Sequence, residues 1–183
     1  MHLVLTTPRS GSTWFCEQLA NQNNSLNLDE YFHDRYKEYH KIGLRSVIKN
    51  TNCVIKLFPN QIETSVVPNL LEECISLSTS ITFLVRKDFN SQMRSYYVAK
   101  KLRMWGENST TSVYATLDEN AYNKYQESLF DQILKLSNYY KTITNSTLAF
   151  LEELSSTGKY KRQVFWDKNP KHIDIDIAKL FEK

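Results

Sequence analysis

Between Leu3 and Phe15 an apolar, β-branched run breaks into Pro8-Arg9-Ser10-Gly11-Ser12-Thr13 and then turns apolar again. Hydroxyls, a fixed positive charge and a glycine in so short a turn suit the holding of an anion. The hydroxyls of Ser10, Ser12 and Thr13 donate hydrogen bonds, Arg9 supplies charge, and Gly11 lets backbone N–H groups approach a ligand closely. With a helix starting near Ser12, its first N–H groups and the positive end of its dipole face the same spot. The triphosphate-binding pattern GxxxxGK[ST] is absent from the stretch. Taken alone, the turn leaves a phosphate cradle and an ordinary capped helix both open.

A second constellation lies in Phe83-Leu-Val-Arg-Lys-Asp-Phe-Asn-Ser-Gln-Met-Arg-Ser-Tyr-Tyr97. Arg86 closes an apolar strand pattern and Ser95 sits on the amphipathic helix pattern that follows, so the two can reach one common anion. Lys87 and Arg94 read as solvated charges on the helix face.

These groups need a frame that brings distant turns together. Four segments read as buried strands, His2–Thr6, Cys53–Leu57, Ile81–Val85 and Gln163–Trp166, with helical patterns at Ser12–Gln22, Asn60–Cys74 and Asn90–Leu102. Pro68 marks a break in the second of these helices. Asp118–Leu154 reads as two helices separated near Thr142–Ser146. Strands alternating with helices predict an α/β fold, a P-loop-like parallel sheet of about four to five strands with helices on both faces. In such a sheet ligands collect at the carboxyl ends of the strands, where both constellations fall. Leu102–Thr116 reads as a loop, either a plain connection or a lid over substrate.

Length and composition fit one domain over residues 1–183, with 41% hydrophobic residues to fill a single core. A net charge of +3 suits a small anionic ligand and lacks the dense basic stripe of a nucleic-acid binder. Cys16, Cys53 and Cys74 are odd in number and set among apolar residues, which predicts buried free thiols rather than disulfides or a zinc site. No apolar run reaches the length of a membrane span and no basic leader opens the chain, so a cytoplasmic protein is expected.

The two constellations together resemble those of the sulfotransferases that use 3′-phosphoadenosine 5′-phosphosulfate (PAPS). Their 5′-phosphosulfate loop has the form Pro-[Lys/Arg]-Ser-Gly-[Ser/Thr]-Thr-Trp, and their 3′-phosphate motif has an Arg and a later Ser. The stretches RSGSTWFCEQL, LDEYF, VIKLF and VRKDFNSQMRSYY are similar to those of the bacterial trehalose 2-sulfotransferase type and span about half the chain, from Leu3 to Tyr97. Beyond Tyr97 the likeness fades, so it does not name the acceptor.

The resemblance implies a role for each matching residue. Arg9, Ser10, Gly11, Ser12 and Thr13 would bind the 5′-phosphosulfate, and Trp14 would stack on adenine unless it anchors the first helix in the core. Arg86 and Ser95 would grip the 3′-phosphate, with Gln92 supporting them. Lys56, ending the strand Cys-Val-Ile-Lys-Leu, would stabilise the transferred sulfuryl group. Many relatives carry Lys where Arg9 stands, and a planar guanidinium meets an anion differently from an ammonium.

Cytosolic relatives place a histidine base two residues after the lysine, where this chain has Phe58. The trehalose-type pattern instead implies Glu30 as the base. Asp29 is its neighbouring competitor, and His33 could pair with Glu30 if the stretch is helical. A Glu serves as base best when burial raises its pKa, which Tyr31 and Phe32 would favour.

The implied reaction needs PAPS, releases PAP, and uses no metal. Its acceptor would be a small molecule, a carbohydrate or a lipid, and the eleven tyrosines suit stacking on sugars without proving it. The Gly-rich, Arg-bearing C-terminal loop that closes over the nucleotide in larger relatives is not visible. Closure would fall to Leu102–Thr116 or to a partner subunit, which leaves an oligomer open. A relative that binds PAP or PAPS without turnover and a P-loop-like nucleotide kinase are the alternative functions.

Overall fold

Five short strands form one parallel sheet in the order β2-β3-β1-β4-β6. They are β1 (His2–Thr6), β2 (Leu26–Asp29), β3 (Cys53–Leu57), β4 (Ser80–Val85) and β6 (Thr147–Phe150). The computed structural model describes residues 1–33, 45–46, 52–65, 67–103, 113–154 and 164–183.

Alternation along the central strands divides the core. Leu3, Leu5, Cys53, Ile55, Leu57, Ile81, Phe83 and Val85 belong to the larger apolar cluster, whereas Val4, Val54 and Leu84 belong to a smaller one. Successive side chains of a strand point to opposite faces, so the two clusters lie on the two faces of the sheet. Helix α1 (Ser12–Gln22) covers the smaller cluster with Cys16 and Ala20. The larger one is covered by α3 (Leu70–Ser76), α4 (Phe89–Leu102), α5 (Glu119–Thr142) and α7 (Ile177–Leu180), through Leu70, Met93, Tyr97, Leu129, Ile133 and Ile177. Burial on both faces explains why these strands read as near-continuous apolar runs. The architecture is the predicted α/β sheet and is consistent with a P-loop-like fold.

Strand order also fixes where a crevice opens. From β1 the chain leaves toward β2, whereas from β4 it leaves toward β6 on the opposite side of the sheet. Connections that diverge from adjacent parallel strands leave a crevice beyond their carboxyl ends. The Pro8–Thr13 turn and Arg86 sit there.

Several elements differ from the sequence expectation. The second helix expected within Asp118–Leu154 is half strand. After α5 ends, Thr147–Phe150 pairs with Thr82–Val85, and only Leu151–Leu154 (α6) is helical. Leu26–Asp29 is an additional edge strand beside β3. The late strand is observed as β7 (Val164–Trp166), yet it leaves the main sheet and pairs in parallel with β5 (Val113–Ala115). That β5 lies inside the loop expected at Leu102–Thr116, most of which falls outside the described residues. Asn60–Cys74 resolves into α2 (Pro59–Glu63) and α3 on either side of Pro68. Among the described residues, no helix is long and apolar enough to cross a membrane.

Candidate functional site

The opening turn is held in an uncommon backbone shape. Arg9 and Gly11 both take left-handed conformations, with φ of 62° and 81°. For Arg9 this costs about 1–3 kcal/mol, which persists only where the surroundings over-determine it. Gln92, fully buried on α4, donates from Nε2 to the Thr7 hydroxyl at 2.9 Å and to the Pro8 carbonyl at 2.7 Å. Arg9 Nε donates to Ser95 Oγ at 2.9 Å. At Gly11 the left-handed backbone favours glycine, and an added Cβ would push aside the δ-methyls of Leu151, with Cδ1 at 2.7 Å.

Inside the turn, Thr6 Oγ1 donates to the Leu84 carbonyl at 2.8 Å, which leaves the buried Ser10 hydroxyl to donate to Thr6 Oγ1 at 2.5 Å. Ser10 thus spends its side chain on the fold, and only its backbone remains for a ligand. Helix α1 begins after Gly11 with no side-chain cap and no acidic residue in its first turn. Its leading N–H groups are therefore available to an anion. Trp14 is half-buried on that turn and belongs to neither apolar cluster of the described residues.

On the β3 flank a buried lysine gathers the polar groups. Lys56 Nζ donates to Thr13 Oγ1 at 3.0 Å and lies 2.6 Å from Asp29 Oδ1 and 3.4 Å from Glu30 Oε1. The Asp29 contact is an ion pair outside hydrogen-bonding direction. Burying an ammonium alone would cost several kcal/mol, and these two carboxylates offset that cost. Asp29 reaches the lysine because its backbone is left-handed, φ 48°, where the pairing of β2 with β3 slips. The Asn27 side chain accepts its N–H at 3.0 Å.

Gln61 completes this flank. Its Oε1 accepts the Phe58 backbone N–H at 2.9 Å, which turns its amide nitrogen toward Glu30 Oε2 at 3.5 Å. Phe58 itself is buried, with its ring centroid 5.7 Å from Lys56 Nζ. The stretch that carries His33 is not helical. Glu30–His33 is a single turn in which the His33 N–H donates to the Glu30 carbonyl at 2.9 Å.

On the β4 flank Arg86 reaches Ser91 rather than Ser95. Its Nη2 donates to Ser91 Oγ at 2.6 Å, and Nη1 makes a longer contact of 3.5 Å with the Arg9 carbonyl. Ser95 is instead the partner of Arg9, so two residues expected at opposite ends of a nucleotide meet directly. Burial pulls the Arg86 guanidinium below its ordinary pKa, with Glu152 and Asp88 opposing the shift. Glu152 lies 3.8 Å from Arg86 Nε, and its carboxylate accepts the backbone N–H groups of Lys87 and Asp88.

The sequence reading missed Gln61, Ser91 and Glu152 as members of this site. Ser91 and Ser95 share one face of α4 at i, i+4, and Gln61 is the third residue of a helix opened by Pro59, so each left a local trace. Glu152 left none. Among the described residues no set of three or more His, Cys, Asp or Glu side chains gathers as metal ligands. No family model matches the chain, and no curated protein matches it.

Proposed function

We propose that the protein is a sulfotransferase that moves the sulfuryl group of PAPS to a hydroxyl of a small-molecule, carbohydrate or lipid acceptor and releases PAP. One observation carries this reading. The uncapped start of α1 lies between a buried lysine flanked by carboxylates and a partly buried arginine bonded to Ser91, at the carboxyl ends of strands flanking β1. The resemblance of the motifs to PAPS-dependent enzymes assigns the same residues to the two ends of one nucleotide.

In the proposed reaction the acceptor oxygen attacks sulfur as its proton passes to Glu30. The new S–O bond forms while the bond from sulfur to the bridging phosphate oxygen breaks, and the 5′-phosphate of PAP leaves with that electron pair. Lys56 and the N–H groups at the start of α1 face the oxygen where negative charge grows, so they stabilise the transition state more than the ground state. Thr13 holds the Lys56 ammonium in place, and Gln61 orients Glu30. Arg86, with Ser91 and the Arg9–Ser95 pair, receives the 3′-phosphate, and Trp14 offers its ring to the adenine. Three buried free thiols fit a reducing compartment, which favours the cytoplasm.

The test is release of PAP from PAPS across a panel of sugars, phenols and alcohols. Acceptor-dependent release is expected, and Glu30→Gln should lower it by about 10²–10⁴-fold while PAP affinity stays within about twofold. Binding of PAP without release for any acceptor would favour the binding-only alternative. Turnover unchanged in Glu30→Gln would remove Glu30 as the base.

A further inference from the structure

Glu152 stands where an anion would go. Its Oε2 accepts the Lys87 N–H at 3.0 Å and its Oε1 accepts the Asp88 N–H at 3.2 Å, with Oε1 lying 3.8 Å from Arg86 Nε. These N–H groups belong to the β4–α4 turn and not to the helix end, which Asp88 closes by accepting the Ser91 N–H at 2.9 Å. A carboxylate is therefore bound by two backbone donors beside a guanidinium, as a phosphate oxygen would be.

Two neighbours hold this carboxylate in position. Leu151 packs on Gly11, and Glu153 pairs with Lys87 Nζ at 2.5 Å. Lys87 also lies over the Phe150 ring at 4.5 Å. The β6–α6 junction is thereby fastened to both anion-binding turns. Yet Arg86 Nε, a buried atom, makes no hydrogen bond, because 3.8 Å is too long for one. The seat is occupied but not saturated.

We propose that Glu152 is a specificity-determining residue, an internal anion that sets how tightly and how selectively the Arg86 seat takes a 3′-phosphate. The inference rests on the nucleotide reading above. A phosphate arriving at Arg86 either displaces the Glu152 carboxylate from the two N–H groups or lies beside it. Displacement costs the bonds already made, and coexistence costs like-charge repulsion at close range. Either way the 3′-phosphate contributes less than Arg86 alone would give, whereas a nucleotide without that phosphate is unaffected. Glu152 thus narrows the preference for PAP over adenosine 5′-phosphate.

Isothermal calorimetry with PAP and adenosine 5′-phosphate on the full chain tests this. Glu152→Gln and Glu152→Ala should each tighten PAP about tenfold and leave adenosine 5′-phosphate within about twofold. Glu153→Gln, which removes the charge paired with Lys87 but leaves the Glu152 carboxylate in the seat, should move PAP affinity less than either Glu152 variant and leave adenosine 5′-phosphate within about twofold. PAP affinity unchanged or weakened in the Glu152 variants, or both nucleotides tightened alike, overturns the proposal. Should one variant fail to fold by circular dichroism, the other decides. A wild-type protein that binds neither nucleotide overturns the nucleotide reading itself, a result distinguishable because no affinity then exists to shift.

Discussion

The two flanks of the crevice use their cations differently. On the β3 side the Lys56 side chain is 2% exposed, and Thr13, Asp29 and Glu30 surround its ammonium. On the β4 side the Arg86 side chain is 23% exposed, keeps one buried donor without a hydrogen bond, and meets its carboxylate only at 3.8 Å. A fully enclosed charge acts at a fixed place in a weakly screening environment, which suits stabilising a transition state. A partly open, half-satisfied charge suits capture of an anion that must come and go. Under the proposed function, chemistry falls to the β3 flank and recognition to the β4 flank.

The largest effect should come from breaking the β3 flank. Lys56→Ala is expected to lower turnover by about 10²–10³-fold with a much smaller loss of PAP affinity, measured as kcat against Kd. An affinity loss that accounts for the whole defect would make Lys56 a binding residue like Arg86 and erase the contrast. Next in size is Arg86→Ala, which should weaken PAP about 10–100-fold and adenosine 5′-phosphosulfate only slightly, by calorimetry. Equal losses for both ligands would detach Arg86 from the 3′-phosphate.

A smaller effect separates the thiols beneath the two faces of the sheet. Burial pushes Cys16 and Cys74 up to about 12 from the ordinary 9.0, and at Cys16 the nearby Lys56 charge partly opposes this. A folded-state pKa above the unfolded one gives stability that is present below the unfolded value and lost as pH rises toward the folded value. The melting temperature should therefore fall between about pH 9 and pH 12, and native protein should resist thiol alkylation at neutral pH. Cys16→Ser and Cys74→Ser variants that keep the same alkaline decline would assign it to other groups.

Much of this arrangement is legible in the chain because it is local. Leu3-Val4-Leu5 and Phe83-Leu84-Val85 declare buried strands by composition, and the residues after them declare turns able to hold an anion. Thr147-Leu-Ala-Phe150 does not declare a strand, since Leu and Ala serve a helix equally well and only pairing with Thr82–Val85 decides. Leu26-Asn-Leu-Asp29 is a short, polar edge strand whose first residue is exposed, so its pattern is faint. The reach of Asp29 to Lys56 depends on a left-handed residue at a slipped register, which no side-chain pattern announces. Glu152 meets Lys87 across 65 positions of sequence, and only the place of β6 beside β4 brings them together.

The most direct test of the crevice as a nucleotide site is a thermal melt of the protein with PAP, compared with ATP plus Mg²⁺. At ~100 times its dissociation constant a ligand adds about 2.7 kcal/mol of stability. For a chain of this size that is a rise on the order of 5–10 °C. A rise of that size with PAP, and little with ATP and Mg²⁺, is the predicted result. No rise with PAP, or a rise with ATP and Mg²⁺ alone, would contradict the account at its centre.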